Sequence, residues 1–122
     1  MNINWNTNHI DLQNLIDISR NDQQKILKYL HQFQELIPPR IEKLKAGMQA
    51  ENRLLVRQIL HQVSPQLHFF GVPGVVEPIR RLELEYEAMP IEDLRLLVKD
   101  VVVKLQRAIE EVDLVLEKII FN

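Results

Sequence analysis

The spacing of apolar residues is the feature that most constrains the fold of this chain. These residues recur every three or four positions over long stretches, as on one face of an α-helix. The first long stripe comprises Ile26, Leu30, Phe33, Ile37, Ile41, Leu44 and Met48, and the last comprises Leu94, Leu97, Val101, Leu105, Ala108, Val112, Val115 and Ile119. Only 3 glycines are present, and this favours helix over strand. The sequence therefore predicts an all-α protein.

Capping and breaking residues divide the first half of the chain into helices. Asp11 is a suitable N-cap for a short first helix, and Asn21 or Asp22 is suitable for the second. Pro38 and Pro39 interrupt the second helix, but the apolar stripe stays in phase on both sides of them. We therefore expect a kink at these prolines and not the end of the helix.

The second half of the chain divides in the same way. A third helix ends at the Gly-Val-Pro-Gly segment 71–74, a fourth follows, and Pro90 suits the first turn of the last helix. Four amphipathic helices with short connections predict an antiparallel four-helix bundle with a short additional N-terminal helix. Residues 1–9 are rich in asparagine and are expected to form an arm, and residues 10–122 are expected to form one helical domain.

Composition narrows the classes of function. The chain has no cysteine, so disulfides, thiolate metal sites and thiol nucleophiles are excluded. A formal net charge of −2, without a basic run, argues against nucleic-acid binding. No apolar stretch approaches the length that spans a bilayer, and the polar N-terminus is unlike a signal peptide. We therefore expect a cytoplasmic protein that binds neither membranes nor nucleic acids.

The third predicted helix contains His61, the residue with the clearest potential for chemistry. The apolar stripe of this helix comprises Val56, Ile59, Leu60, Val63, Leu67 and Phe70. At about 100° per residue, His61 falls almost opposite the centre of the stripe, so we predict an exposed side chain. An exposed imidazole, with an ordinary pKa of about 6.5, is mostly neutral and nucleophilic at neutral pH, as phosphoryl transfer to nitrogen requires. The alternative is a solvated surface histidine without a function.

The residues that follow His61 resemble the histidine-containing phosphotransfer (HPt) domain family. That family's motif reads His-x-Leu-Lys-Gly, with a glycine ten residues after the histidine and a Leu-Glu pair eleven residues after that glycine. Here Val63 follows His61 at the leucine position, Gly71 lies ten residues after His61, and Leu82-Glu83 begins eleven residues after Gly71. The spacing of the motif is therefore matched.

This resemblance extends over about residues 10–118 and implies a phosphorelay carrier. His61 would accept a phosphoryl group from an aspartate of a response-regulator receiver domain and pass it to another. The partners implied are such receiver domains and a hybrid histidine kinase. The chain would act as a monomer, without a cofactor and without catalytic turnover of its own. The residues expected to contact the partner are Leu54, Arg57, Gln58, Ser64, Pro65, His68 and Phe69.

Two positions depart from the family's motif. Ser64 stands where the family has a lysine, and we hypothesise that Arg57, one turn before His61, supplies the missing positive charge. Pro65 stands where the family has a glycine; it cannot donate a hydrogen bond to the carbonyl group of His61, so the helix should bend or loosen there. These departures keep an alternative open: a helical adaptor with an HPt-like fold that docks on a signalling partner without being phosphorylated.

The remaining polar residues do not suggest a second site. His68 lies two turns after His61, about 10 Å away on a straight helix, which is too far for both to bind one metal ion. The acidic residues Glu83, Glu85 and Glu87, and those of 110–113, are expected to lie on solvated helix faces. The sequence contains no glycine-rich phosphate loop or serine nucleophile motif. We therefore expect neither a metal protein nor an autonomous enzyme.

Overall fold

The computed structural model describes residues 7–121, which form a bundle of helices. The five helices within this part of the chain are α1 (Leu12–Ile18), α2 (Gln23–Gln49), α3 (Arg53–Phe70), α4 (Val76–Glu85) and α5 (Ile91–Phe121). Helices α2 and α4 each pack against both α3 and α5, and α1 packs against α3. The prediction of an all-α four-helix bundle with a short additional N-terminal helix is confirmed.

Side-chain caps determine where the first three helices begin. Asp11, Asp22 and Asn52 precede α1, α2 and α3, and the side chain of each accepts hydrogen bonds from backbone N–H groups of the first turn. These N–H groups have no partner within the helix, so such a cap typically stabilises it by about 1 kcal/mol. Of the two candidates for α2, Asp22 is therefore the N-cap.

The prolines do not end the helices that contain them. Helix α2 runs through Pro38 and Pro39, and α3 runs through Pro65 as one helix. Burial of Phe33, Ile37 and Ile41 on one face continues across the proline pair in α2. The lost backbone hydrogen bonds are thus outweighed by packing, and the loosening expected at Pro65 does not interrupt α3.

The core consists of the predicted apolar stripes. Every residue of the α2 and α3 stripes is buried, and so is the α5 stripe as far as Val115, whereas Ile119 is partly exposed. Val98, Val102 and Leu116 are also buried. Their burial makes the apolar face of α5 wider than a single stripe, because α5 packs against two neighbouring helices.

The C-terminal end of α3 is fixed by the residues at the start of α1. Gly71 has a φ of +59°, and a Cβ at this position would lie 2.6 Å from the Cβ of Asp11, so the site requires glycine. The backbone N–H of Asp11 donates to the carbonyl of Phe70 at 2.7 Å, and Nδ2 of Asn14 donates to that of Phe69 at 2.9 Å. These bonds satisfy carbonyl groups that a helix end leaves unpaired.

Glu111 joins the beginning of the described chain to α5. Its carboxylate accepts hydrogen bonds from the backbone N–H groups of Asn8, His9 and Ile10 at 2.9–3.0 Å. The expectation that Glu111 lies on a solvated face is therefore wrong, because the side chain has a structural role. Residues 1–6 of the expected arm lie outside the described residues.

The burial pattern predicts which substitutions affect stability. Phe33 and Ile59 are buried, and replacing either with alanine removes core contacts and leaves a cavity. The free energy of unfolding should fall by ~2–5 kcal/mol. His61 is exposed, so His61→Gln should change it by less than about 0.5 kcal/mol. Denaturant unfolding measures all three variants, and a large loss in His61→Gln would mean that this histidine is structural.

Candidate functional site

His61 lies near the middle of α3, on the side of the helix that faces away from the core. Its side chain is 71% exposed, whereas its neighbours Ile59, Leu60 and Val63 are buried. The prediction that His61 is exposed is confirmed. A partner molecule can therefore reach the imidazole directly.

The imidazole of His61 has a defined polar partner, the carboxylate of Glu83 in α4. The distance between Nδ1 of His61 and Oε1 of Glu83 is 3.1 Å. An ionised carboxylate only accepts hydrogen bonds, so this contact assigns the proton of the neutral ring to Nδ1 and leaves the lone pair on Nε2. Glu83 is 31% exposed. The expectation that it belongs to a solvated face is wrong, because it contacts the candidate nucleophile.

The position of Glu83 follows from the packing of α4. Ile79 and Leu82 are buried in the core, and Glu83 comes about 100° further around the helix than Leu82. Glu83 therefore lies at the edge of the contact between α4 and α3, where it reaches His61. In the Leu-Glu pair at residues 82 and 83, Leu82 thus packs α4 against the core and Glu83 places its carboxylate at His61.

Arg53 joins the beginning of α3 to the end of α4. Its Nη1 atom donates hydrogen bonds to the backbone carbonyl of Tyr86, at 2.9 Å, and to that of Met89. The end of a helix favours a cation, because its last carbonyl groups lack partners and the helix dipole is negative there. No spacing rule identifies this contact from the sequence, because both acceptors are backbone groups on a distant segment.

Arg57 lies between Arg53 and His61 along α3 and also contacts the end of α4. Its guanidinium carbon is 5.3 Å from the centre of the Tyr86 ring, which is a cation–π geometry. Its Nε atom is buried without a hydrogen-bond partner, and within residues 7–121 it forms no ion pair with a carboxylate. The positive charge one turn before His61 is therefore not neutralised. We refer to Arg53, Arg57 and His61 as the α3 row.

The hydroxyl group of Tyr86 has a hydrogen-bond partner that affects its pKa. This hydroxyl group donates a hydrogen bond to Oε1 of Glu87 at 2.9 Å. This hydrogen bond, together with partial desolvation and the charge of Glu87, raises the pKa of Tyr86 above its ordinary value, although the charge of Arg57 acts in the opposite direction. The phenol therefore stays protonated and neutral around neutral pH, and Arg57 packs on an uncharged ring.

The residues predicted to contact a partner differ in their exposure. Those whose side chains are exposed are Leu54, Gln58, Pro65 and His68. Ser64 and Phe69 are partly buried, and the ring of Phe69 packs against those of Tyr29 and Phe70, with ring centres 4.7 and 5.5 Å apart. The exposed members share the face of α3 around His61, whereas Phe69 also contributes to packing against α2.

An apolar groove between α2 and α3 begins one turn after His61. It has a volume of about 230 Å³ and is lined by Tyr29, Gln32, Phe33, Pro65, Gln66, Phe69 and Phe70. Pro65 is both a groove residue and a neighbour of His61 along the helix. The groove was not identified from the sequence, because it depends on how α2 and α3 pack.

The described part of the chain offers neither a metal site nor a membrane span. Within residues 7–121, no three histidine, cysteine, aspartate or glutamate side chains are grouped so that they could hold a metal ion. No helix in that range is both long and apolar enough to cross a membrane. His68 is exposed near the C-terminal end of α3, two turns from His61.

Comparison with known proteins identifies the fold. The chain is similar to the crystal structure of the HPt domain from a sensor hybrid histidine kinase of Shewanella, with a TM-score of 0.77 and 16% sequence identity. The similarity covers 89% of this chain and 94% of that one. No protein-family model matches the sequence, and no curated protein matches it. The helical bundle therefore has the fold of an HPt domain.

Proposed function

We propose that this chain is a phosphorelay carrier that accepts a phosphoryl group on Nε2 of His61 and donates it again. The observation that supports this most strongly is the contact between Nδ1 of His61 and the carboxylate of Glu83, on an exposed face of a bundle with the HPt fold. A carboxylate at Nδ1 fixes the tautomer of the ring and leaves Nε2 as the nucleophile.

The proposed transfer is an in-line displacement at phosphorus. The lone pair of Nε2 forms the N–P bond while the P–O bond to the donor aspartate breaks, and that aspartate leaves as a carboxylate. The proton remains on Nδ1, so the phosphorylated ring carries a positive charge, which the carboxylate of Glu83 stabilises. The reverse displacement, by an aspartate of a second receiver domain, returns His61 to its neutral form.

The proposed partners are response-regulator receiver domains, including that of a hybrid histidine kinase. The receiver domain supplies the metal ion and most of the electrostatic catalysis, so His61 is a stoichiometric nucleophile and this chain alone has no turnover. The exposed side chains of Leu54, Gln58, Pro65 and His68 would form the contact around His61. With a net charge of only −2, long-range steering is weak and the interface is modest and transient.

Arg57 is proposed to supply the positive charge that the HPt motif provides through its lysine. Residues four apart on a helix are neighbours, with Cβ atoms about 5–6 Å apart, so a phosphoryl group on His61 would lie beside the turn that carries Arg57. Its guanidinium has no carboxylate partner within residues 7–121. A guanidinium also presents several N–H donors, which match the oxygens of a phosphoryl group.

Incubation with phosphorylated receiver domains tests the proposed function. Receiver domains encoded in the same genome, each labelled on its aspartate, should transfer label to this chain in an acid-labile, base-stable form, as expected for phosphohistidine. The His61→Gln variant is the control and should accept none. If no receiver domain transfers label to the wild-type chain, the carrier role is refuted and the non-phosphorylated adaptor is the remaining candidate.

Replacing Glu83 should slow transfer by removing the partner of Nδ1. Glu83→Ala should lower the rate about tenfold, as expected for the loss of ~1.4 kcal/mol from one exposed charge-assisted hydrogen bond. Glu83→Gln should be less affected, because the amide oxygen still accepts from Nδ1. Glu85→Ala is the matched control, since Glu85 pairs with Arg81 in the same helix. Equal rates for Glu83→Ala and Glu85→Ala would refute this role.

Arg57 and Ser64 offer a complementary pair of substitutions. Arg57→Ala should slow transfer from a phosphorylated receiver domain about tenfold, corresponding to ~1.4 kcal/mol, while the chain stays folded. Adding Ser64→Lys should restore part of the rate, because it places a cation at the position that the HPt motif uses. Transfer by Arg57→Ala at the wild-type rate would contradict the role of Arg57 but not that of His61.

A further inference from the structure

We infer that Tyr86 is a positioning residue for the phosphoryl site, because its ring holds the guanidinium of Arg57, one turn before His61 along α3, without neutralising its charge. This inference rests on the proposed function of His61. Tyr86 itself touches neither the imidazole nor the phosphoryl group, and it acts through Arg57.

The first support is that the Tyr86 ring is held in a fixed place. Its backbone carbonyl accepts a hydrogen bond from Arg53, which joins the end of α4 to the beginning of α3 and so fixes the backbone that carries the ring. The ring lies under Arg57, with 5.3 Å between its centre and the guanidinium carbon. A ring fixed in this way also fixes the position of the guanidinium.

The second support is the way in which the guanidinium is bound. A carboxylate partner would neutralise Arg57 and occupy its N–H groups, as Glu51 does for Arg95 at 2.6 Å elsewhere in the molecule. An aromatic ring instead attracts the cation through its face and does not neutralise it. Because Nε of Arg57 is buried, the donors proposed for a phosphoryl oxygen are the two Nη groups. The ring contact therefore leaves the charge of Arg57 intact on the turn of α3 that precedes His61.

The third support is the arrangement of charges around His61. Glu83 lies at Nδ1 of His61 and, within residues 7–121, forms no ion pair with Arg57, although Glu83 and Tyr86 lie about one turn apart along the chain. If the two charges paired with each other, neither would act on the ring or on the phosphoryl group. Because the guanidinium packs on Tyr86, Glu83 keeps its contact with Nδ1 of His61. Arg57 is then left to interact with the negative charge of the phosphoryl group.

Chemical phosphorylation with phosphoramidate tests the inference without an identified protein partner. In this reaction Nε2 attacks phosphorus, the P–N bond of phosphoramidate breaks, and the nitrogen takes up a proton and leaves as ammonia. The rate of phosphohistidine formation is followed by ³¹P NMR for wild type, Tyr86→Phe, Tyr86→Leu, Arg57→Ala and the double variant Arg57→Ala/Tyr86→Leu. Circular dichroism and thermal melts establish that each variant is folded.

The expected result is a pattern of coupled effects. Tyr86→Phe keeps the aromatic face and should react within twofold of wild type, whereas Tyr86→Leu should be slowed about as much as Arg57→Ala. The double variant should be no slower than Arg57→Ala alone, because Tyr86 acts through Arg57. A Tyr86→Leu rate equal to wild type, or additive effects in the double variant, would overturn the inference.

The same series separates this inference from the proposed function. If wild type forms no phosphohistidine at position 61, the proposed function fails and the positioning role fails with it. If wild type reacts and Tyr86→Leu reacts equally fast, only the positioning role fails. Equal rates for wild type and Tyr86→Leu are interpreted in this way only when Tyr86→Leu is folded.

If Tyr86→Leu does not fold, the NMR resonance of the Arg57 Nε–H proton tests the inference instead. The Nε–H proton of Arg57 should show an upfield ring-current shift in wild type and in Tyr86→Phe. On phosphorylation of His61 this resonance should move, whereas that of Arg53, which is bound to backbone carbonyl groups, should stay in place. An Arg57 resonance that is unaffected by phosphorylation would overturn the inference.

Discussion

Six side chains of α3 are buried in the core, and their burial sets the direction in which every other residue of the helix points. Because the stripe occupies one face, the α3 row of Arg53, Arg57 and His61 is placed along an edge that meets α4. Burial of Ile79 and Leu82 then fixes α4 against this edge. Exposed polar pairs contribute little stability on their own. Apolar packing therefore positions the polar groups of the site, and these groups remain available for chemistry.

The carboxylate of Glu83 contacts His61, and Arg57 lies one turn before His61 along α3; the proposed mechanism gives these two opposite charges different tasks. Glu83 accepts the hydrogen bond from Nδ1 and would stabilise the positive charge that the ring gains on phosphorylation. Arg57 would interact with the negative charge of the phosphoryl group itself. The Tyr86 ring contacts the guanidinium of Arg57, and within residues 7–121 Arg57 forms no ion pair with Glu83. Replacement of the motif's lysine by Ser64 therefore need not remove the cation from the site.

Much of the fold could be predicted from the sequence, because helical periodicity depends only on residues close together along the chain. The stripes of α2 and α3, the continuation of α2 through Pro38 and Pro39, and the exposure of His61 were all predicted in this way. The roles of Glu83 and Glu111 were predicted wrongly. A count of charges along one helix cannot show that a carboxylate meets a group on another element.

The groups that Arg53 and Arg57 contact could not be predicted from the sequence, because they also lie on another element. Arg53 binds backbone carbonyl groups, which every residue possesses, so no residue type marks its partners. Arg57 was predicted to share the face of His61, but its contact with Tyr86 depends on how α4 packs against α3. Such contacts between helices become visible only when the tertiary structure is known.

The proposed mechanism depends most directly on which nitrogen of His61 carries the proton and which accepts the phosphoryl group. Long-range ¹H–¹⁵N NMR of protein labelled with ¹⁵N-histidine, before and after treatment with phosphoramidate, measures both. The mechanism predicts the Nδ1–H tautomer for the neutral ring and a phosphoryl group on Nε2 of His61. A neutral ring protonated on Nε2, a phosphoryl group on Nδ1, or no phosphohistidine at this position would contradict it.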